Sequence, residues 1–271
     1  MTVRVGLTLP SFSRDAEVPL SIAERADADG IDAVFVYDHM FRLGRDGRPR
    51  PALECFALLT AVAMRTRRIT VGTLVVRASL RPPAVVVAAV RTLAAHVPGR
   101  CIVGLGAGDS ESRPEHEQFG IAFPPLTDRI ASLRATADAL REAQPEVPVW
   151  IGGHHHLVRA VVDEPGRAWN VWGAGVADFA TLAADTRAGA PGAELTWGGL
   201  VVLAPSDERA RARAEELGAP AGAITGSPAT VAGRLQPYVD AGATSLVLGP
   251  VDASNPANVP LVAEVRSLLQ Q

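Results

Sequence analysis

Two consecutive strand-to-loop junctions constrain the fold of the 271-residue chain more than any other feature. They span residues 69–76 and 102–110, and each is a short, continuously apolar segment that ends in small or glycine-rich sequence. Such continuous runs are typical of strands that are buried on both faces of a sheet. Residues 83–97 lie between them and predict a helix long enough for a right-handed crossover. The two junctions therefore predict a βαβ unit of a parallel sheet.

The same unit repeats along the whole chain. Helices are predicted between the strands and after the last one, and loops of a few residues connect most of the elements. The predicted strands are 3–9, 33–37, 69–76, 101–105, 147–151, 169–172, 195–203 and 244–248. The predicted helices are 18–28, 52–64, 83–97, 126–143, 157–163, 176–188, 206–217, one that begins at 227, and 259–269.

Eight alternating strands and helices predict a closed parallel (β/α)8 TIM barrel, an α/β fold, with residues 1–271 forming one domain. No linker, repeat or low-complexity segment divides the sequence. The alternative is a doubly wound open sheet, whose glycine fingerprint is expected directly after the first strand. That position holds Leu9-Pro10-Ser11-Phe12, which favours the barrel.

Charge and composition exclude several classes of function. The net charge of −3 argues against a protein that binds nucleic acid electrostatically. No apolar run is long enough to span a membrane, and no signal peptide precedes the first strand, so we expect a cytoplasmic protein. Cys55 and Cys101 fall in predicted buried elements and are expected to be core thiols rather than a disulfide.

The chain contains no lysine, because all 26 of its basic residues counted as Lys and Arg are arginine. A Schiff-base aldolase or a pyridoxal-phosphate enzyme requires an amine nucleophile, and a P-loop requires a lysine at the phosphates. These three classes are therefore excluded.

The carboxyl ends of the predicted strands indicate where chemistry would occur, because TIM barrels place their sites there. Glycine-rich turns that enter helices are suited to phosphate, and an apolar mouth with tryptophans is suited to a flat ring. The strand ends are Thr8, Asp38-His39, Leu74 to Arg77, Gly106 to Asp109, Gly152 to His154, and Trp169 to Trp172.

Four segments together resemble the bacterial luciferase-like family, and within it the deazaflavin-dependent branch that uses coenzyme F420. The first contains the Asp38-His39 pair, and the second is the helix and third strand over 54–75. The third runs from Gly99-Arg100 to Gly108-Asp109, and the fourth covers 226–243. No single motif is decisive, but their order and spacing extend the resemblance over nearly the whole chain.

The resemblance implies that coenzyme F420 binds at the barrel mouth and that the protein is a homodimer. It implies a non-proline cis peptide bond at Leu74–Val75, with backbone against one face of the coenzyme ring. The coenzyme phosphate would lie on the two glycine-rich turns. The implied coenzyme-binding residues are Asp38, Thr73, Leu74, Val75, Gly106, Ala107, Gly108, Asp109, Gly152, Gly153 and His154.

Three acid–base residues are catalytic candidates on this resemblance. His39 would exchange a proton with the substrate while hydride moves to or from C5 of the deazaflavin. Asp38 would orient the ring or His39, although a strand-end Asp-His pair can also simply cap a turn. Asp109 is either a second acid or the cap of a local turn. Glu54 opens a predicted helix, where a carboxylate has a structural role.

Other polar groups have structural explanations that compete with functional ones. His154, His155 and His156 are consecutive, so they would not converge on one metal ion, and we expect none. His154 stands where the family often has a small hydroxyl residue, and its imidazole could contact the phosphate instead. The arginines of the loop after the second strand could meet the acidic tail of the coenzyme or form a solvated surface. They are Arg42, Arg45, Arg48 and Arg50.

The sequence therefore predicts an F420-dependent oxidoreductase that acts on a small organic substrate. One alternative is an FMN-dependent monooxygenase of the same family, supplied with reduced flavin by a partner reductase. A second is a flavin-binding barrel without activity, and a third is an unrelated barrel isomerase of phosphorylated sugars.

One further strand is part of the resemblance. Trp169, Asn170 and Trp172 resemble a strand that the family places beneath the ring or the substrate, with at least one tryptophan in the core.

Overall fold

A computed structural model describes residues 2–44, 47–162 and 167–271. Its strands follow the predicted order closely, with three short additions. They are β1 Arg4–Thr8, β2 Ala33–Val36, β3 Phe41–Leu43, β4 Pro49–Pro51, β5 Thr70–Arg77, β6 Cys101–Gly106, β7 Val149–Gly152, β8 Arg167–Trp172, β9 Glu194–Leu203, β10 Ile224–Gly226 and β11 Ser245–Pro250.

The helices alternate with these strands and cover the outside of the sheet. They are α1 Glu17–Ala28, α2 Cys55–Arg65, α3 Pro83–His96, α4 Arg113–Gln118, α5 Leu126–Ala143, α6 His156–Arg159, α7 Val176–Gly189, α8 Asp207–Leu217, α9 Pro228–Asp240 and α10 Asn258–Leu269. Side-chain caps begin several of them as the sequence predicts: Ser206 accepts from the Arg209 amide, and Ser227 accepts from the Thr230 amide. In the described part of the chain, no helix is both long and apolar enough to cross a membrane.

Eight parallel strands close into the predicted barrel. Their order is β1-β2-β5-β6-β7-β8-β9-β11, and pairing of β11 with β1 completes the ring. The short β10 pairs only with the last part of β9, outside this ring. All pairings between barrel strands are parallel, so the carboxyl ends of the eight strands meet at one rim.

The barrel interior is filled by a small cluster of large side chains that face glycines. Phe35 and Trp150 pack with ring centroids 5.2 Å apart inside the ring of strands. A Cβ added at Gly6 or Gly72 would approach the Phe35 ring to 2.8 or 2.7 Å, so these positions admit only glycine. Phe35 and Trp150 therefore fill the middle of the barrel, below the carboxyl-end rim.

The structure differs from the sequence prediction in four connecting segments. The predicted loop 42–51 contains the β3–β4 hairpin, and the predicted irregular stretch 106–125 contains a 3-10 turn, Ser110–Ser112, followed by α4. The strand β10 was not predicted, and the predicted helix 157–163 is only the single turn α6 over the described residues, since residue 163 lies outside them. Each missed element is shorter than seven residues, too short for hydrophobic periodicity to show.

Candidate active site

A cavity of about 710 Å³ opens at the carboxyl-end rim of the barrel. Its size suits a cofactor-sized ligand, since small-molecule sites usually have volumes of roughly 300–1,000 Å³. Every residue predicted to bind the coenzyme borders it except Thr73, which is buried and donates its hydroxyl to the Gly104 carbonyl. The bordering residues are Asp38, Leu74, Val75, Gly106, Ala107, Gly108, Asp109, Gly152, Gly153 and His154.

His39 borders this cavity and is held by Glu115. The Nδ1 atom of His39 lies 2.6 Å from Oε1 of Glu115. About a third of the His39 side chain is exposed (34%), whereas that of Glu115 is 6% exposed. Because Nδ1 is engaged by a buried carboxylate, Nε2 is the imidazole nitrogen that remains for a ligand.

Glu115 is fixed by three further contacts from two other elements. Its Oε2 accepts from the Met40 amide at 2.7 Å, the Phe41 amide at 3.5 Å and Nη2 of Arg77 at 2.9 Å. Burial opposes ionisation, but the hydrogen bonds from His39 and Met40 and the charges of His39 and Arg77 outweigh it and lower the pKa of Glu115 to about 2. Glu115 is therefore ionised at neutral pH and can hold the imidazole in one orientation.

Asp38 is engaged by arginines rather than by His39. Its two carboxylate oxygens accept from Arg81 at 2.7 and 3.0 Å, and one of them also accepts from the Arg77 amide. Its backbone carbonyl accepts from Nε of Arg77 at 2.8 Å. The expectation that Asp38 orients His39 is therefore corrected: Glu115 makes that contact, and Asp38 ties the end of β2 to β5.

Glu54 has the predicted structural position at the start of α2. Its carboxylate accepts from the Ala57 amide at 2.7 Å and from Nη2 of Arg81 at 2.7 Å. The guanidinium of Arg81 thereby bridges the carboxylates of Glu54 and Asp38, and so joins the cap of α2 to the residue that precedes His39.

The glycines of β6 and β7 accommodate the side chain of Val75. The Leu74–Val75 peptide bond is cis, as the resemblance implies. A Cβ at Gly106 would lie 2.5 Å from Cγ2 of Val75, and one at Gly152 would lie 2.8 Å from its Cγ1. The absence of side chains at Gly106 and Gly152 therefore allows Val75 to lie across both strands, in addition to exposing their backbone to the cavity.

The loop after β6 is a capped turn. Asp109 accepts from the amide and the hydroxyl of Ser112, both at 2.9 Å, and so begins the 3-10 turn. Asp109 therefore makes the hydrogen bonds of a turn cap, which is the structural role that the sequence offered for it. The residue also borders the cavity. Gly108 has φ of +73°, a left-handed conformation that favours glycine.

The three consecutive histidines do not converge. Nε2 of His154 lies 2.9 Å from the Trp172 carbonyl, which joins β7 to the end of β8. His155 caps α6 by accepting from the Leu157 amide, and its ring stacks on that of His156. Nε2 of His154 is therefore engaged by a backbone carbonyl, although the residue borders the cavity.

The tryptophans of β8 divide between the core and the cavity. Trp169 is fully buried, donates to the Gly153 carbonyl at 2.9 Å and stacks on Phe179 of α7. Trp172 borders the cavity with Asn170, and its ring meets that of Tyr37 edge-on. Burial raises the pKa of Tyr37 to about 12, so this wall carries a neutral phenol.

Residues 14–144 match the sequence profile of the family described as luciferase-like monooxygenase. The F420-dependent glucose-6-phosphate dehydrogenase of Kineococcus radiotolerans is 32% identical over 172 residues, which are 60% of this chain and 49% of that protein. That of Amycolatopsis mediterranei is 34% identical over 170 residues, 60% of this chain and 50% of that protein. The chain thus spans about half the length of these curated relatives.

The solved structures that resemble the chain share its fold at low sequence identity. An F420-dependent secondary alcohol dehydrogenase in complex with an F420-acetone adduct superposes with a TM-score of 0.82 at 16% identity, covering 100% of both chains. The oxygenating constituent of 3,6-diketocamphane monooxygenase from Pseudomonas putida, with FMN, has a TM-score of 0.75 at 16% identity, covering 100% of this chain and 98% of the other.

The fold is therefore a TIM barrel shared with these solved structures, and the first half of the sequence is similar to the luciferase-like monooxygenase family. Residues 14–144 are similar to that family, and the two curated relatives named above are F420-dependent enzymes. The sequence profile ends at residue 144, so the segment 226–243, which was expected to carry part of the resemblance, lies beyond it.

Proposed function

We propose that the protein is an F420-dependent oxidoreductase that transfers hydride between C5 of the deazaflavin and a small organic substrate. The observation that carries the proposal is the His39–Glu115 pair at the edge of the large rim cavity. The names of its curated relatives and of the alcohol dehydrogenase with the same fold support this choice of coenzyme.

The residues around the cavity fit a planar coenzyme. Leu74, Val75 and Ala107 give one apolar wall, and Tyr37 and Trp172 give aromatic surface. At Gly108 an added Cβ would meet nothing closer than Cδ of Arg77, at 3.7 Å, so the loop presents bare backbone to the cavity. When bound, the coenzyme would supply or accept the hydride. The turns at Gly108 and Gly153 would hold its phosphate.

His39 would carry the proton that accompanies hydride transfer. Its Nε2 would donate a proton to a substrate carbonyl oxygen as hydride reaches the carbon, or accept one from a hydroxyl in the reverse direction. Glu115 stabilises the protonated imidazole by its negative charge and keeps Nδ1 from turning towards the cavity. The hydrogen bonds from His39 and Met40, together with the charge of Arg77, keep Glu115 itself ionised, so it acts as a positioning residue.

The test is coenzyme binding followed by turnover. Purified protein is titrated separately with coenzyme F420 and with FMN, and the fluorescence of each is recorded. We expect micromolar binding of F420, and we expect His39→Ala to bind it equally while losing turnover. Binding of FMN alone would favour the monooxygenase alternative, which the FMN complex with the same fold supports. Unchanged turnover of His39→Ala would remove His39 from the mechanism.

A further inference from the structure

The β3–β4 hairpin carries a pair of arginines that oppose each other. Arg42 and Arg50 are directly opposite in the antiparallel register, so their side chains leave the same face of the hairpin. Like charges at opposed positions destabilise a strand pair. Among residues 2–44, 47–162 and 167–271, no acidic side chain forms an ion pair with Arg14, Arg42 or Arg50. Arg45, which belongs to the same loop in sequence, lies outside the described residues.

Phe12 connects these arginines to the rim cavity. The guanidinium carbon of Arg42 lies 4.4 Å from the centroid of the Phe12 ring. The centroid of the His39 ring lies 5.4 Å from that of Phe12, and both rings border the rim cavity. A second cavity, of about 200 Å³, adjoins the same ring and is bordered by Arg14, Arg50 and the two prolines on either side of Arg50. Phe12 borders both cavities, so a ligand in the larger one can extend one group towards the arginines.

The balance of charge at this place favours an anion. Arg42 is exposed, but partial desolvation of its guanidinium and then the charge of Arg50 lower the pKa of Arg42, so the surroundings disfavour its positive charge. Pro49 and Pro51 flank Arg50 in β4 and restrict its backbone, so the charge is held close to the opposing arginine. An anionic oxygen group placed between the guanidiniums would remove this repulsion and accept several hydrogen bonds.

The order of strands separates this place from the expected position of the coenzyme phosphate. Phe12 follows β1 and Arg42 follows β2, which lie on one side of β5 in the barrel. Gly108 and Gly153 follow β6 and β7, which lie on the other side of β5. A coenzyme ring on Leu74 and Val75 with its phosphate on those glycines would extend away from the arginines. The arginines then face the side from which the substrate must approach His39.

We propose that Arg14, Arg42 and Arg50 form a subsite for a carboxylate or phosphate group of the substrate, so that the enzyme acts on an anionic substrate whose reacting carbon lies beside His39. This inference rests on the proposed function for its reaction, but the anion subsite can be measured without turnover. With such a subsite, the enzyme would select its substrate by negative charge as well as by apolar shape.

The test compares charged and neutral probes on the F420-loaded protein by calorimetry. Benzoate and phenyl phosphate are the anions, and benzamide is the neutral counterpart of benzoate. We expect the anions to bind at least about tenfold more tightly than benzamide, as one or two charge-assisted hydrogen bonds would give. Replacing any one of the three arginines by glutamine should weaken the binding of the anions about tenfold and leave the affinity for benzamide unchanged. The variants are Arg14→Gln, Arg42→Gln and Arg50→Gln. Equal binding of all three probes, or anion binding that the variants do not alter, would overturn the subsite.

The matched control is Arg211→Gln on α8, an exposed arginine outside both cavities that makes the same change in net charge. Its anion affinity should equal that of the wild type.

The acidic tail of the coenzyme is a second source of anionic groups, and a coenzyme form without this tail distinguishes it from the substrate. The hairpin variants could weaken the binding of F420 without weakening that of the tail-free form or of benzoate. In that case the arginines bind the coenzyme, and the proposal is wrong. If the protein binds no coenzyme, the proposed function fails, whereas arginine-dependent binding of benzoate or phenyl phosphate to the unloaded protein would still support the subsite.

Discussion

Oε1 of Glu115 lies 2.6 Å from Nδ1 of His39, although the two residues are 76 positions apart in the sequence. The contact joins α4, in the connection after β6, to the end of β2. It makes a histidine at the cavity edge part of a buried, charged network with Arg77. A carboxylate in this position can fix the orientation of the imidazole without touching a substrate.

Glu115→Gln should lower turnover far more than coenzyme binding. The neutral amide can still accept a hydrogen bond but cannot balance the charge of a protonated His39, so we expect a loss of roughly 100-fold in kcat, the lower end of what general acid–base catalysis contributes. Steady-state kinetics over pH, with F420 titration alongside, measures it. The pH at which kcat changes should also shift, which a purely structural effect would not produce.

Glu117→Gln is the control for this variant. Glu117 lies on the same helix two positions later, but it is exposed. It should retain wild-type kinetics. If Glu115→Gln also keeps wild-type kcat and pH dependence while remaining folded, the role assigned to Glu115 is wrong.

Acid should destabilise the protein through the same carboxylate. The pKa of Glu115 is lowered to about 2 in the folded state, whereas an unfolded glutamate titrates near its usual value of roughly 4.3. Stability from its ionised form is therefore fully present above about pH 5 and is lost as the pH falls towards 2. Urea unfolding at pH 7, 5, 4 and 3 should show a difference between wild type and Glu115→Gln that shrinks in this window. A difference that stays constant with pH would contradict the assignment.

The sequence predicts His39 but not Glu115, for a physical reason. His39 follows a buried strand of a parallel barrel, and the carboxyl ends of such strands meet at one rim. Glu115 belongs to a stretch that also contains Glu111 and Glu117, and its six-residue helix is too short for periodicity to identify the inward face. The choice among three carboxylates is made by tertiary contacts with Arg77 and the Met40 amide.

The glycines illustrate the same limit. The spacing of Gly104, Gly106 and Gly108 predicts a place where backbone can approach closely. It does not say what approaches, and at Gly106 the neighbour is the side chain of Val75. Only Gly108 among these three requires a left-handed conformation. The barrel is therefore predictable from periodicity, whereas the occupant of each glycine gap depends on the shape of the adjacent strand.

Both thiols should be unreactive until the protein unfolds. Cys55 and Cys101 are free and buried, and burial raises the pKa of Cys101 to about 12 and that of Cys55 well above its usual value. Neither thiol forms a thiolate near neutral pH. Titration with a thiol-specific chromogenic reagent at pH 8 should show no rapid reaction in the native protein and two equivalents in urea. Rapid native labelling would mean that one of the two sites opens readily.

Gly106→Ala should destabilise the barrel by forcing Val75 out of its position. The new Cβ would lie 2.5 Å from Cγ2 of Val75, well inside contact distance, and overpacking of this kind typically costs about 1–3 kcal/mol. Val75→Ala removes the conflicting methyl groups, so the double variant should recover much of the loss that Gly106→Ala causes alone. Urea unfolding of both single variants and the double variant gives the coupling free energy. Gly222→Ala, where an added Cβ meets nothing within 4 Å, is the control and should change stability little. Additive effects at Gly106 and Val75 would show that the two residues do not contact each other, and with that the steric explanation of the glycine would be lost.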